Sequence, residues 1–437
     1  MYSTSAWKRI DVKKSITFRI DNFSEFKVKM LHWANRFSIF CLLDNHQYNF
    51  DTPAFECMLA VASAPAVVAT GDPVFEPLRP IAANNSDWLF GHICYDAKND
   101  IEQLASANFD GIGFPEAVFF VPEKLLQLQQ QKLIVYTDED DAAGIFDAIQ
   151  SCTVPVQPDA TPVEIKSRMD KQQYIAAVQQ LQAHILRGDC YEINFCQEFF
   201  AENAVINPVT VYQNLATLSP NPFAALYKFE DKYCICASPE RYLKKTGDKV
   251  LSQPIKGTAI RKPYDAVSDQ QNRKALLHST KERSENVMVV DLVRNDLSKI
   301  CVEGTVQVDE LFGIYSFPQV HQMISTVSGQ VQPGLTWVDM IKATFPMGSM
   351  TGAPKKRVME LIEQYEQTKR GLFSGTIGYI KPGGDFDFNV IIRSIVYNTS
   401  TRYLSFQTGS AITFYSDAAQ EYEECLLKAA AIRQVLS

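Results

Sequence analysis

The apolar positions of this chain follow two different rhythms. Up to about residue 135, short β-branched and aromatic runs alternate with turn residues: SITFRI, FSIFCLL, MLAVASAPAVV, WLFGHICYD, AVFFVP and KLIVYTD. Such runs predict strands of a mixed sheet, with one helix expected over EKLLQLQQQ. TDEDDAAG and TVPVQPDATPVE then bring acid, Pro and Thr in quick succession, which places a boundary near residues 150–165. Beyond it, KQQYIAAVQQLQAHILRG spaces its apolar residues three and four apart and stops at Gly188, the signature of an amphipathic helix. More strands and helices follow, with no repeat and no low-complexity segment. The pattern predicts an α+β protein: an amino-terminal region of mixed strands and helices (1–160) and a larger catalytic region (165–437).

Composition narrows the function classes. With 437 residues, 46% of them hydrophobic and 21% charged, the chain can bury a large core. A net charge of -8 with no basic block argues against nucleic acid as a partner. No apolar run approaches the ~18–20 residues that cross a bilayer, so no membrane partner is expected. The opening MYSTSAWKRIDVKK lacks a signal-peptide core, which points to the cytoplasm. The ten cysteines form no CxxC pair, and the closest two, Cys234 and Cys236, sit inside the strand-like YCICAS. Reduced, partly buried thiols are the expected reading, rather than a zinc site or a disulfide framework.

Two carboxylate pairs share a spacing. Glu282 and Glu285, in KERSENVMVVDLVRND, and Glu421 and Glu424, in DAAQEYEECLLKAAAIRQVL, each lie three apart on a helical pattern and so share a face. Two such faces can converge on one hard cation such as Mg²⁺, which prefers carboxylate oxygens. Either pair alone reads more simply as solvated surface, and spacing does not show that the helices meet. A lone lysine, Lys256 in QPIKGTAIR, would likewise ordinarily be a surface charge at a strand end.

The ordered set of motifs changes that weighting. ASPERYL, QPIKGTAIR, ENVMVVDLVRNDLSKI, VHQMISTVSG, FPMGSMTGAPKKRVMELI, SGTIGYI, VIIRSI and TGSAIT…EYEE follow one another over residues 237–424. Over residues 168–437 the chain resembles the chorismate-utilising enzymes: anthranilate synthase component I, aminodeoxychorismate synthase component I, and the isochorismate and salicylate synthases. The resemblance implies an anthranilate synthase component I-like fold of large β-sheets packed together with flanking helices. It also implies Mg²⁺-dependent chemistry on chorismate, with Glu285 and Glu424 as direct ligands and Glu282 and Glu421 around them. His321 matches an active-site histidine. Arg393, Gly409, Ser410, Gly257 and Thr258 match substrate-contacting positions. A guanidinium takes a carboxylate bidentately, and a Gly-containing turn lets backbone N–H groups approach one. TGAPKK, with Pro354 near a helix start, can point N–H groups at an anion, although a plain helix start explains it equally well.

Within the family, the residue before Gly-Thr sorts the chemistry. The anthranilate synthases carry alanine there and the aminodeoxychorismate synthases carry lysine, which here is Lys256. The resemblance therefore implies amination of chorismate to 4-amino-4-deoxychorismate, for 4-aminobenzoate and folate synthesis, through a Lys256 adduct at C2. A nucleophile on C2 expels the C4 hydroxyl through the ring's conjugation, and ammonia at C4 then expels that nucleophile. Lys256 must be neutral to attack, and burial and a neighbouring Mg²⁺ are both expected to favour the free amine. Glu240, in SPER, matches the general acid for the departing hydroxyl, and its pKa must then be raised; a plain alternative pairs it with Arg241.

Glu192, in GDCYEINFCQEF, departs from the family, which has Gln in aminating members and Lys in isochorismate or salicylate synthases. The missing lysine argues against the latter, and a carboxylate there can orient or deprotonate ammonia. Anthranilate synthase component I is the alternative, set back by Lys256 and by the lack of an LLES-type tryptophan-site motif; a non-catalytic subunit is a remote one. No glutaminase domain with a Cys nucleophile is visible, so a separate glutamine amidotransferase (component II) is the expected partner supplying ammonia.

Overall fold

The computed structural model describes residues 15–48, 55–84, 86–137, 141–155 and 162–437. Among them lie two antiparallel sheets, of twelve and ten strands. Between the sheets, Ile39, Cys41, Met58 and Tyr227 of the larger one meet Phe90, Phe120, Ile377 and Tyr379 of the smaller in one buried cluster. The outer face of the larger sheet carries the helices Phe23–Ala34, Ala142–Gln150 and Pro208–Leu218 and the end of Ala418–Leu436. The smaller sheet packs on Thr280–Ser298 and Trp337–Thr344. The expected large sheets with flanking helices are thus the observed architecture.

Strands from both sides of the expected boundary share these sheets. Ile39–Asp44 pairs with Phe223–Phe229 in the larger sheet, and Leu89–Ile93 pairs with Thr376–Ile380 in the smaller one. Ile39–Asp44 is buried at all six positions, which explains an unbroken apolar run rather than an alternating one. The boundary near 150–165 includes residues 156–161, and these, like the start MYSTSAWKRIDVKK, lie outside the described residues.

One expected element is corrected. EKLLQLQQQ is not a helix: Lys124–Gln129 is a strand paired with Cys57–Ala62 and with Lys132–Tyr136. Leu125 packs between the sheets while Leu126 and Leu128 pack under the outer helices, so apolar residues are wanted on both faces. Tertiary burial overrides the helix propensity of Leu and Gln. The helix Lys171–Leu186 is present as expected, capped by Asp170 and Gln173 in a reciprocal box and followed by Gly188 at φ +85°. No helix among the described residues is long and apolar enough to cross a membrane.

The shared sheets give a testable consequence. A chain beginning at residue 165 leaves Phe223–Phe229 and Thr376–Ile380 with an unpaired, apolar edge. Such a chain is expected to aggregate or to melt without a cooperative transition in calorimetry; a sharp, two-state melt would show that the carboxy-terminal part folds alone.

Candidate functional site

The segment around Lys256 is two strands interrupted at Pro254: Lys249–Gln253 and Ile255–Ile260. The second pairs with Val320–Gln330, with a register shift between Ile255 and Thr258. That bulge falls on Lys256 and Gly257, and it turns the lysine inward to 11% side-chain exposure. Gly257 has φ +98°, and a Cβ there would stand 3.1 Å from Glu282 Oε2. Glycine at this point satisfies the backbone and admits the glutamate helix Thr280–Ser298 against the strand.

Lys256 Nζ donates to Glu192 Oε1 at 3.0 Å. Glu192 begins the strand Glu192–Ala201 of the larger sheet, whereas Lys256 belongs to the smaller one. The Glu192 side chain is 3% exposed, and its Oε2 has no hydrogen-bond partner. Its backbone pairs with Gly352–Ala353, where a Cβ on Gly352 would stand 2.0 Å from the Glu192 carbonyl oxygen. Burial alone would push the Lys256 ammonium down, but Glu192, Glu285 and Glu240 outweigh it and hold the lysine well above its ordinary range. The expectation of a neutral amine is therefore not met by the protein's own groups, because three carboxylates surround the lysine.

Glu240 stands where the chain leaves one sheet, at Lys232–Ser238, and enters the other, at Arg241–Thr246. Burial pushes its carboxyl up to about 7, against the pull of the Ser349 hydroxyl, Lys256, the Ile255 N–H and Arg393. It is not paired with Arg241, whose guanidinium bonds Asp387 and Gln253 instead. Arg393 occupies a second sheet-to-sheet crossing, between Phe386–Asn389 and Ser394–Asn398. Its backbone is left-handed (φ 51°), a costly conformation for arginine; desolvation lowers the pKa of its guanidinium, and the Glu240 carboxyl opposes that.

The two glutamate helices do meet. Thr280–Ser298 is capped by Ser279, which accepts from Glu282 N, and Ala418–Leu436 by Asp417. Lys281 Nζ bridges them, 3.9 Å from Glu285 Oε1 and 3.6 Å from Glu421 Oε1. Burial pushes Glu285 up to about 7, with Lys256 opposing and Glu192 and Glu282 adding to it. Glu282 is raised by burial too. For Glu424, burial is outweighed by Lys428, 2.8 Å away, and by Lys281, which hold it low. Among the described residues no three acidic, His or Cys side chains close on one point as a metal shell. Buried Glu285 Oε1 and Glu421 Oε2 nevertheless lack hydrogen-bond partners, so hard oxygen donors stand ready beside Lys281.

The other expected residues divide. His321, opposite Ala259 in the pairing, is buried with Nδ1 2.8 Å from Ser316 Oγ and Nε2 3.2 Å from Asp269 Oδ1, and so bonds these two rather than any of the site's glutamates. Thr258 is exposed, opposite Gln322. Ser410 Oγ is 3.3 Å from Tyr174 OH, and the Gly409 carbonyl accepts from Lys428 Nζ at 2.8 Å. At TGAPKK, Lys355 is held by Asp296 at 2.6 Å. The sequence reading missed Lys281 and Lys428, although each lies four residues from a named glutamate, the spacing at which opposite charges meet on a helix. It also missed Ser349, for which no sequence signal existed.

Residues 46–434 match the family described as chorismate binding enzyme. The chain belongs to that family. It is 36% identical to an anthranilate synthase component I-like protein of Synechocystis over 80% of this chain and 72% of that protein. It is 31% identical to aminodeoxychorismate synthase component 1 of Bacillus subtilis, over 79% and 76%. The solved anthranilate synthase component I of Streptococcus pneumoniae superposes with a TM-score of 0.73 at 28% identity, covering 90% of this chain and 92% of that one. The match starts well before residue 168, so the amino-terminal strands belong to the family fold too.

The raised carboxyls carry a stability signature. Glu240 and Glu285 bind a proton more tightly folded than unfolded, so their contribution is complete below about pH 4.5 and is lost as pH rises through about 7. Without added metal, Glu285→Gln is expected to exceed the parent in stability at pH 8 by about 1–3 kcal/mol and to match it at pH 4.5. Denaturant melts at both pH values measure this; a variant less stable than the parent at pH 8 would contradict it.

Proposed function

We propose that this chorismate-utilising enzyme is an aminodeoxychorismate synthase component I, converting chorismate and ammonia to 4-amino-4-deoxychorismate. The observation that carries the reading is Lys256: an inward-facing lysine at a strand bulge, among Glu192, Glu240 and Glu285. Identity does not decide it, since relatives named for either amination match at 31–36%. Lys256 attacks C2, and Glu240, with a pKa of about 7, is protonated often enough near neutrality to give its proton to the leaving C4 hydroxyl. Arg393, which feels the charge of Glu240, would take a substrate carboxylate. These carboxylate oxygens are of the kind Mg²⁺ takes: Glu285 and Glu424 would be its ligands with Glu282 and Glu421 around them, and the ion would offset the carboxylates and the dianionic substrate. Ammonia comes from a separate glutamine amidotransferase.

Product analysis tests the assignment. With chorismate, Mg²⁺ and an ammonium salt, the expected product is 4-amino-4-deoxychorismate with the enolpyruvyl group retained. Anthranilate and pyruvate would instead support anthranilate synthase component I. Lys256→Arg should abolish C4 amination, because a guanidinium stays protonated and cannot attack. Near-normal output from that variant would sink the nucleophilic role. Glu285→Gln and Glu424→Gln should each lower activity by about 100-fold, the upper range for disturbing a metal site.

A further inference from the structure

We propose that Glu192 is a catalytic base that takes a proton from Lys256 as the lysine attacks and returns it when the lysine leaves. The inference rests on the Lys256 reading above and assigns a role to a glutamate where the resemblance leads one to expect glutamine. The geometry is specific. Of the carboxylates around Lys256, Glu192 is the one within hydrogen-bond distance, at 3.0 Å. Its side chain is 3% exposed, so bulk water does not compete for the proton. Its Oε2 accepts no hydrogen bond, so that oxygen has no competing donor. The strand start is also held firmly, by pairing with Ala353 and close contact with Gly352. A glutamine here would accept the same hydrogen bond but could not take the proton.

The steps balance. The Lys256 ammonium gives one proton to Glu192, and the freed electron pair forms the N–C2 bond. The two ring double bonds each move one position towards C4, and the C4–O bond breaks, the hydroxyl leaving as water with the Glu240 proton. The adduct nitrogen keeps two protons and its positive charge. Ammonia then attacks C4, the double bonds move back, and the N–C2 bond breaks, releasing Lys256 as a neutral amine. That amine recovers its proton from Glu192, and the new C4 ammonium returns one to Glu240. No electrons are gained or lost overall.

A counter-ion role predicts the opposite effect of removing the charge, which makes the experiment decisive. In Glu192→Gln, kcat for ammonia-dependent 4-amino-4-deoxychorismate formation is expected to fall about 100-fold, with KM for chorismate within about threefold of the parent. The Lys256 adduct, followed by intact mass with chorismate in the absence of ammonia, should form correspondingly more slowly. Glu192→Ala should be equally impaired and regain rate with added formate, a small base that fits the vacated carboxylate position. Unchanged melting curves for both variants exclude misfolding, and Glu192→Asp supplies a second carboxylate if either variant fails to fold. Glu192→Gln matching or exceeding the parent's rate would overturn the base role while leaving the Lys256 reading intact. A parent chain that gives neither adduct nor C4 product would overturn both.

Discussion

The ion pair between Lys256 and Glu192 joins the two sheets at the site, and the surrounding structure is arranged to place those two groups together. Lys256 comes from the smaller sheet and Glu192 from the larger. Between their ends, the chain passes from one sheet to the other at Glu240 and at Arg393. Both crossings deliver a charged side chain to the same junction. A crossing is where backbone geometry is least regular, which is consistent with the left-handed conformation of Arg393. The site is thus a property of the packing of two sheets, not of either sheet alone.

Crowding carboxylates at such a junction has an electrostatic cost. Two of them about 5 Å apart repel by about 3 kcal/mol at an effective dielectric constant of 20. Lys256 and Lys281 offset part of this at Glu285, whose carboxyl is raised mainly by burial and further by Glu192 and Glu282, while Glu240 is raised by burial alone. Lys256 also feels the field in return: burial would discharge it, but the neighbouring charges keep it an ammonium. A nucleophilic lysine in this setting therefore needs either an immediate proton acceptor or a cation that silences the carboxylates. Glu192 is the carboxylate within hydrogen-bond distance of Lys256, and the glutamate helices carry further oxygen atoms nearby.

How much of this the sequence disclosed depends on range. The glutamate pairs were legible because three-residue spacing on a helix is a local fact, and both helices are present with their caps. The helix after Asp170 was legible for the same reason. EKLLQLQQQ was misread because its strand state is decided by cores on both faces, which the local pattern does not reveal. Pairing across residue 160 is equally non-local: Ile39–Asp44 and Phe223–Phe229 lie far apart in the chain, and nothing local announces that they meet. At the site, motif order pointed to Lys256, Glu240 and Arg393, while the contact between Glu192 and Lys256 required the fold.

That contact also separates the duties of two buried glutamates. Glu240 lies next to a lysine and an arginine without a close ion pair to either, so desolvation dominates and its carboxyl holds a proton near neutrality. Glu192 is equally buried yet bonded directly to the Lys256 ammonium. The two carboxyls thus differ in their nearest partner, and the difference arises from where the lysine ends. The strand bulge at Gly257 fixes that position, so a backbone irregularity decides which carboxyl the lysine touches.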